Sequence, residues 1–163
     1  RWMPTGGVNE KNLLDYIKFN KIVACGGTWM VKKDLIEAEN WDEIERLTRQ
    51  AVQTMLGLRV DHIGINTENE QEAQAAAKLF VDMFGMKEKV GNSSIFVGEN
   101  EVEIMKKMYL GKNGHIAIAT HTLPRAIAYF RARGYEFREE TVTDKAAYFK
   151  DEIAGFAIHL VQR

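Results

Sequence analysis

The 163-residue chain contains a single cysteine, Cys25. No intrachain disulfide can form, which fits a reducing, cytoplasmic setting. No apolar run is long enough to span a bilayer, and no signal-peptide pattern is visible. Neither sign of charge is in excess: 22 Lys and Arg stand against 23 Asp and Glu, a net charge of −1. That balance points to neither nucleic acid nor a membrane surface as a partner. Histidine is scarce too, with 4 in all, so the place of each one carries information. What remains is ordinary for a water-soluble globular chain, with 45% hydrophobic and 28% charged residues. The length allows one domain, or one domain with an appendage. The sequence opens at Arg1, without an initiator Met, in an apolar strand-like stretch, and is expected to be a piece of something longer.

Two short stretches echo one another. Asp61-His62-Ile63-Gly64-Ile65-Asn66 and Gly114-His115-Ile116-Ala117-Ile118-Ala119 each read as a strand followed by a helical segment. Side chains alternate along a strand. Ile63, Ile65, Ile116 and Ile118 therefore share one face, expected to lie under helices. His62, Gly64, His115, Ala117 and Ala119 share the other, where small residues leave room beside each imidazole.

Before this repeat the pattern is different. Asn9 caps a helix expected over about 10–19, and Lys21 to Cys25 reads as a short buried strand. Asn40, with Glu43 three residues on, is a capping pair for a helix over 41–56. Trp41, Ile44, Leu47, Ala51 and Met55 form its apolar stripe, and Gly57 suits its left-handed C-terminal cap. Gly6-Gly7 and Gly26-Gly27-Thr28 follow strand-like stretches. Glycine lets backbone N–H groups approach an anion, so both turns suit phosphate. Spacing alone equally allows two glycine-rich turns with no ligand.

Arg1-Trp2-Met3-Pro4-Thr5-Gly6-Gly7-Val8-Asn9, Val23-Ala24-Cys25-Gly26-Gly27-Thr28-Trp29-Met30 and Asn40-Trp41-Asp42-Glu43-Ile44 together resemble the end of a 2-keto-3-deoxy-6-phosphogluconate/4-hydroxy-2-oxoglutarate aldolase. The resemblance implies that residues 1–57 are the last βαβα piece of a TIM barrel, an incomplete class I aldolase domain. It places Gly6, Gly7, Gly26, Gly27 and Thr28 at the phosphate-binding positions, Thr28 standing where the family usually has Ser. The family's Schiff-base lysine and acid/base glutamate lie on earlier strands that are absent here. Lys32 and Lys33 do not match the lysine motif. The chain as given is therefore expected to have no aldolase activity. Residues 1–30 are expected to be rearranged, to pack on a neighbour or to be partly disordered, and the helix over 41–56 to survive by docking on the second part.

From residue 58 the order βαβββ is expected twice. The first unit has strands over 58–66, 87–90, 94–97 and 102–106, with a helix over 69–84. The second has strands over 115–120, 135–138, 146–150 and 156–161, with a helix over 123–133. Two such units can wrap eight strands into one cupped sheet with both helices outside, an α+β fold. Glu103 follows His62 at nearly the span by which His159 follows His115. Each unit thus offers one polar side chain from its first strand and one from its fourth. Three imidazoles and a carboxylate, His62, His115, His159 and Glu103, suit a divalent transition metal: Ni, Co, Zn, Mn or Fe. Taken singly, each also reads as a core histidine or a rim carboxylate.

Val60-Asp61-His62-Ile63-Gly64-Ile65, Val102-Glu103-Ile104, Gly114-His115-Ile116-Ala117-Ile118 and Ile158-His159-Leu160 resemble the vicinal oxygen chelate superfamily, which includes glyoxalase I, methylmalonyl-CoA epimerase and fosfomycin-resistance enzymes. In that family these four strands supply the metal ligands. His159 is a departure, because Glu is usual there and serves in proton transfer in glyoxalase and epimerase. Glu103 remains as the candidate catalytic base. The resemblance implies, for residues 58–163, a metal-dependent isomerase, epimerase or lyase. Its substrate would be a 2-oxo acid or phosphorylated sugar acid, the substrate class of the attached aldolase. The alternative is a non-catalytic metal- or metabolite-binding module that regulates or stabilises the parent aldolase. In either case a homo-oligomer is expected.

Overall fold

The computed structural model describes all 163 residues, and they fall into two compact units, Arg1–Leu58 and Arg59–Arg163. No helix is long and apolar enough to cross a membrane.

The first unit holds three helices: α1 (Leu13–Ile17), α2 (Lys33–Glu37) and α3 (Trp41–Leu56). The ends of α3 follow from its sequence. Asn40 Oδ1 accepts from the Glu43 N–H at 3.3 Å, and Gly57 takes the left-handed conformation at φ 61°, which costs glycine little. Val8, Leu13 and Ile17 form a small core, joined by Tyr16, Cys25, Trp29 and Met55. Through Met55, α3 finds an apolar partner within its own unit. Trp41 does not join this packing and is 57% exposed.

The buried strand expected over 21–25 is not formed. Its pairing reduces to one parallel bridge, Trp2 to Ile22, flanked by bonds from Val23 N–H to Trp2 O at 3.0 Å and from Gly26 N–H to Pro4 O at 2.9 Å. Two parallel segments without further strands cannot build a covered sheet, and Val23 accordingly lies half exposed. The helix expected over 10–19 shortens to α1, preceded by turns that Asn9 and Asn12 tie to Gly7 O.

The second unit is a mixed α+β structure around one seven-stranded sheet. Its elements are β1 (Arg59–Asn66), α4 (Glu70–Phe84), β2 (Glu88–Val90), β3 (Ser94–Val97), β4 (Val102–Met105), β5 (Gly114–Thr120), α5 (Leu123–Arg131), β6 (Ala146–Ile153) and β7 (Phe156–Gln162). The strand order is β2-β3-β4-β1-β5-β7-β6. In each half the first and last strands lie side by side and parallel, β1 with β4 and β5 with β7. The halves join through the antiparallel β1–β5 pair. This pairing brings the two His-bearing strands together at the centre and puts the Glu103 and His159 strands on either side.

Eight strands were expected, and the missing one is the segment over 135–138. Only Phe137 bridges to Phe149, through Arg138 N–H to Tyr148 O at 2.8 Å and Lys150 N–H to Glu136 O at 2.9 Å. The segment is too short for a ladder. Gly134 still closes the turn after α5, and a 3-10 turn over Glu139–Thr141 begins directly after Arg138.

The helices cover the outer strands of each half. Ala73 and Ala77 of α4 pack on Ile95, Val97 and Ile104, and α5 lies on β7. The outer face of β1 and β5 is less covered than the alternation suggests: Ile63 is 42% exposed. The opposite face, which carries the histidines, is the better buried of the two.

Candidate metal centre

The three strand histidines converge. His62, His115 and His159 are all buried, and a ring nitrogen from each lies within 4.8 Å of the other two. Their rings meet edge to face, with centroids 5.0–5.6 Å apart. Register explains the convergence. Gly64 stands opposite both His115 and Glu103, and Ala117 stands opposite both His62 and His159. Small residues on the central strands therefore leave the space that the imidazoles fill. At Gly64 the fit is tight, because a Cβ there would lie 2.0 Å from His115 Cε1.

Glu103 adjoins two of the three rings. Its Oε2 is 3.1 Å from His115 Nε2 and 3.3 Å from His62 Nε2. Its Oε1 accepts from Ser94 Oγ at 2.6 Å. Glu103 lies outside the compact set of imidazole nitrogens, so its link to the centre runs through His62 and His115. Burial works against its charge, but the hydrogen bonds from His115, His62 and Ser94 prevail and hold the carboxyl well below the usual carboxylate range.

The histidines differ in their surroundings. Burial disfavours charge on His62, yet Glu103 and Asp61 outweigh it and raise its pKa. His159 has no carboxylate in hydrogen-bonding contact; burial, aided by His115 and His62, pushes it down to about 3. Both His159 nitrogens and Nδ1 of His115 are buried without a hydrogen-bond partner. Buried polar atoms are nearly always paired. A metal ion between the rings would satisfy the lone pairs that neutral imidazoles turn toward one another, and this donor set of three imidazoles and a carboxylate fits a divalent transition ion.

Aromatic side chains wall the centre. Tyr148 stacks flat on His159, with centroids 4.3 Å apart and an 8° interplanar angle. Tyr109 meets Tyr148 edge on, and Phe96 meets His62 in the same way. Burial, with Tyr109 and Glu103 nearby, raises the Tyr148 phenol and keeps it protonated. Strand alternation along 146–150 by itself puts one aromatic of the 148–149 pair in the hollow, whereas Ser94, Tyr109 and Phe96 were not singled out from the sequence. Ser94 was findable, since it sits on the strand beside Glu103 with the same alternation.

Of the five candidate phosphate positions, two share a cleft. Gly7 and Thr28 line an open cleft together with Asn9, Lys32 and Lys33. Gly6 and Gly7 have positive φ, 80° and 69°, and open space where a side chain would stand. Gly27 has its side-chain position filled by the Trp29 ring, and Gly26 lies against Thr5.

Residues 1–47 match the family model of KDPG and KHG aldolase. The 2-dehydro-3-deoxy-phosphogluconate aldolase of Haemophilus influenzae is 54% identical over 50 residues, which are 31% of this chain and 24% of that protein. The KHG/KDPG aldolase of Escherichia coli K12 is 40% identical over 53 residues, 32% of this chain and 25% of that protein. The chain thus spans about a quarter of the length of the curated relatives it matches. The rest of the chain has solved neighbours of the vicinal oxygen chelate type. Methylmalonyl-CoA epimerase from Mycobacterium tuberculosis aligns with 17% identity and a TM-score of 0.49, over 63% of this chain and 86% of that one. The fosfomycin resistance protein FosX from Listeria monocytogenes, solved with Mn(II) and sulfate, aligns with 16% identity and a TM-score of 0.25, over 64% and 89%. These likenesses are too distant to assign chemistry. The centre is built by this chain's own strand order, register and converging imidazoles.

Proposed function

We propose that the second unit is a metal-dependent domain whose centre is built by His62, His115, His159 and Glu103, and that it acts on a 2-oxo acid or a related sugar acid. The observation that carries the reading is the convergence of three buried imidazoles, each with a ring nitrogen within 4.8 Å of the other two, beside the Glu103 carboxylate. A bound divalent ion would supply Lewis acidity to a carbonyl and carboxylate on adjacent carbons. The chain's own residues supply the rest. The three imidazoles and Glu103 hold the site, the Tyr148 and Tyr109 rings exclude water from it, and Glu103 Oε2 is the candidate acceptor for the proton next to the carbonyl. A 2-oxo acid suits the neighbouring aldolase-like stretch, whose curated relatives are named for 2-dehydro-3-deoxy sugar acids. A cytoplasmic location and assembly into a homo-oligomer belong to the same reading.

One observation favours a second reading, a non-catalytic module that binds metal or metabolite and stabilises or regulates a parent aldolase. Glu103 is held ionised by three hydrogen bonds, which makes it a better ligand than base. The β7 position at which the resembled family usually has Glu carries His159 instead.

Elemental analysis of the native protein and of His115→Ala tests the centre. About one equivalent of Ni, Co, Zn, Mn or Fe is expected, and its loss in the variant. No metal in the folded native protein after reconstitution removes the reading. Turnover of 2-oxo acids that collapses by about 100-fold or more in Glu103→Gln separates enzyme from module. Tight metabolite binding without turnover selects the module.

A further inference from the structure

The ladder between β1 and β5 slips by one residue. Val60 faces Ile118 and His62 faces Ala117, so Asp61 is an extra residue without a partner. In a regular strand, neighbouring side chains leave opposite faces of the sheet. A bulge re-aims them. Here Asp61 comes to the side of the next residue's ring, and its Oδ2 lies 2.9 Å from His62 Nδ1. The Asp61 side chain is only 13% exposed.

The same carboxylate is gripped from its other side. Arg163, which follows β7, donates from Nε to Oδ1 at 2.7 Å and from Nη2 to Oδ2 at 2.6 Å. Such a two-point fork fixes a carboxylate in orientation as well as position. Arg163 is itself pinned, its backbone N–H donating to Thr120 O at the end of β5 at 3.0 Å. Contacts therefore run from the second half-sheet, through Asp61, to the His62 ring of the first.

A neutral imidazole carries one proton, and the acceptor beside it decides which nitrogen holds that proton. A charged His62 donates from both nitrogens, from Nδ1 to Asp61 and from Nε2 to Glu103 Oε2 at 3.3 Å. The neutral ring keeps the proton shared with Asp61, the nearer carboxylate at 2.9 Å, because Glu103 Oε2 is already engaged by His115 Nε2 at 3.1 Å, and the lone pair is left on Nε2. That atom is the one turned toward the centre, 3.2 Å from His115 Nε2. Neither His115 nor His159 has such support, since the Nδ1 atoms of both are buried and unpaired.

We propose that Asp61, clamped by Arg163 across the two half-sheets, is a positioning residue that fixes His62 as its Nδ1–H tautomer and aims Nε2 at the centre. The proposal rests on the metal reading given above. It makes the strength of the centre depend on closure of one half-sheet onto the other.

The test uses the full chain and Zn(II) as the probe. Zn(II) affinity is measured by chelator competition, and the His62 tautomer by long-range proton–nitrogen NMR of the metal-free protein at pH 8. Wild type is expected to show Nδ1–H at His62. Asp61→Ala is expected to shift His62 toward Nε2–H and to bind Zn(II) 10–100-fold more weakly. Arg163→Ala is expected to lose less, and Arg163→Lys to recover part of that loss. Should Asp61→Ala not fold, Asp61→Asn, which keeps the volume, and Arg163→Ala, which changes a half-exposed side chain, carry the same test. Affinity within about threefold of wild type overturns the proposal and leaves the metal centre standing. Weaker affinity with an unchanged tautomer also overturns it, because the pair would then serve only the fold. Zn(II) binding that is absent in wild type, or equal in His115→Ala, removes the metal reading itself and the proposal with it.

Discussion

At the scale of single residues, the centre depends on one missing side chain. Gly64 faces His115 across the β1–β5 pair, and any Cβ there collides with the imidazole. Gly64→Val is expected to cost about 1–3 kcal/mol of stability through overpacking and to abolish metal binding by displacing His115. Urea unfolding and elemental analysis check the two parts. His159 sets the acid response of the metal-free protein. Its imidazole, lowered by burial to about 3 from an ordinary 6.5, stays neutral in the fold where the unfolded chain takes a proton. This term costs nothing above pH 6.5. Stability is then lost as pH falls from 6.5 toward 3, by up to about 1.4 kcal/mol per pH unit. His62, raised in the fold, has its window above 6.5 and does not offset the loss, while the lowered Glu103 steepens it below 4.5. Urea unfolding at pH 6.5 and pH 5, below the His62 window, should show the decline, and His159→Gln should flatten it.

At the scale of elements, the helix ends were legible because each cap is local. Asn40 and Gly57 bound α3, and Asn69 and Gly85 bound α4, as the residue types require. Asn69 Oδ1 accepts from the Glu72 N–H at 2.9 Å. Asn69→Ala is expected to cost about 1 kcal/mol in chemical denaturation, with no change in metal affinity, because α4 packs on the outer face of β3 and β4. Seven of the eight strands expected after residue 57 form for the same local reason, while the segments over 135–138 and 21–25 reduce to isolated bridges. The segment over 135–138 has a strand-like sequence, yet two backbone hydrogen bonds to β6 are all that its length permits before the chain turns at Glu139. The segment over 21–25 failed for a different reason. A strand needs neighbours on its edges, and the first unit supplies one bridge.

For the whole molecule, the candidate centre lies within the second of two compact units. The centre draws all of its groups from residues 59–163. That segment, produced alone, is expected to bind Zn(II) within about threefold of the full chain. A larger loss in a folded fragment would mean that residues 1–58 contribute to the centre. The same logic predicts no detectable cleavage of 2-keto-3-deoxy-6-phosphogluconate by these 163 residues, measured by release of pyruvate. The first unit has the aldolase-like glycines but no lysine that fits the Schiff-base motif.

The sequence by itself determined the repeat, the α+β class and the identity of the centre's histidines. Period-two alternation and the near-equal spans from His62 to Glu103 and from His115 to His159 are properties of the chain and survive without coordinates. Only the tertiary structure decided how the four meet. Pairing of β1 with both β4 and β5 sets Gly64 against His115 and Glu103, a long-range register that no local pattern encodes. Asp61 illustrates the limit. Strict alternation puts it on the face away from His62, and only the one-residue slip against β5 brings its carboxylate beside the ring. Its partner Arg163 lies about a hundred positions away in the sequence and becomes a neighbour once the second half-sheet has closed.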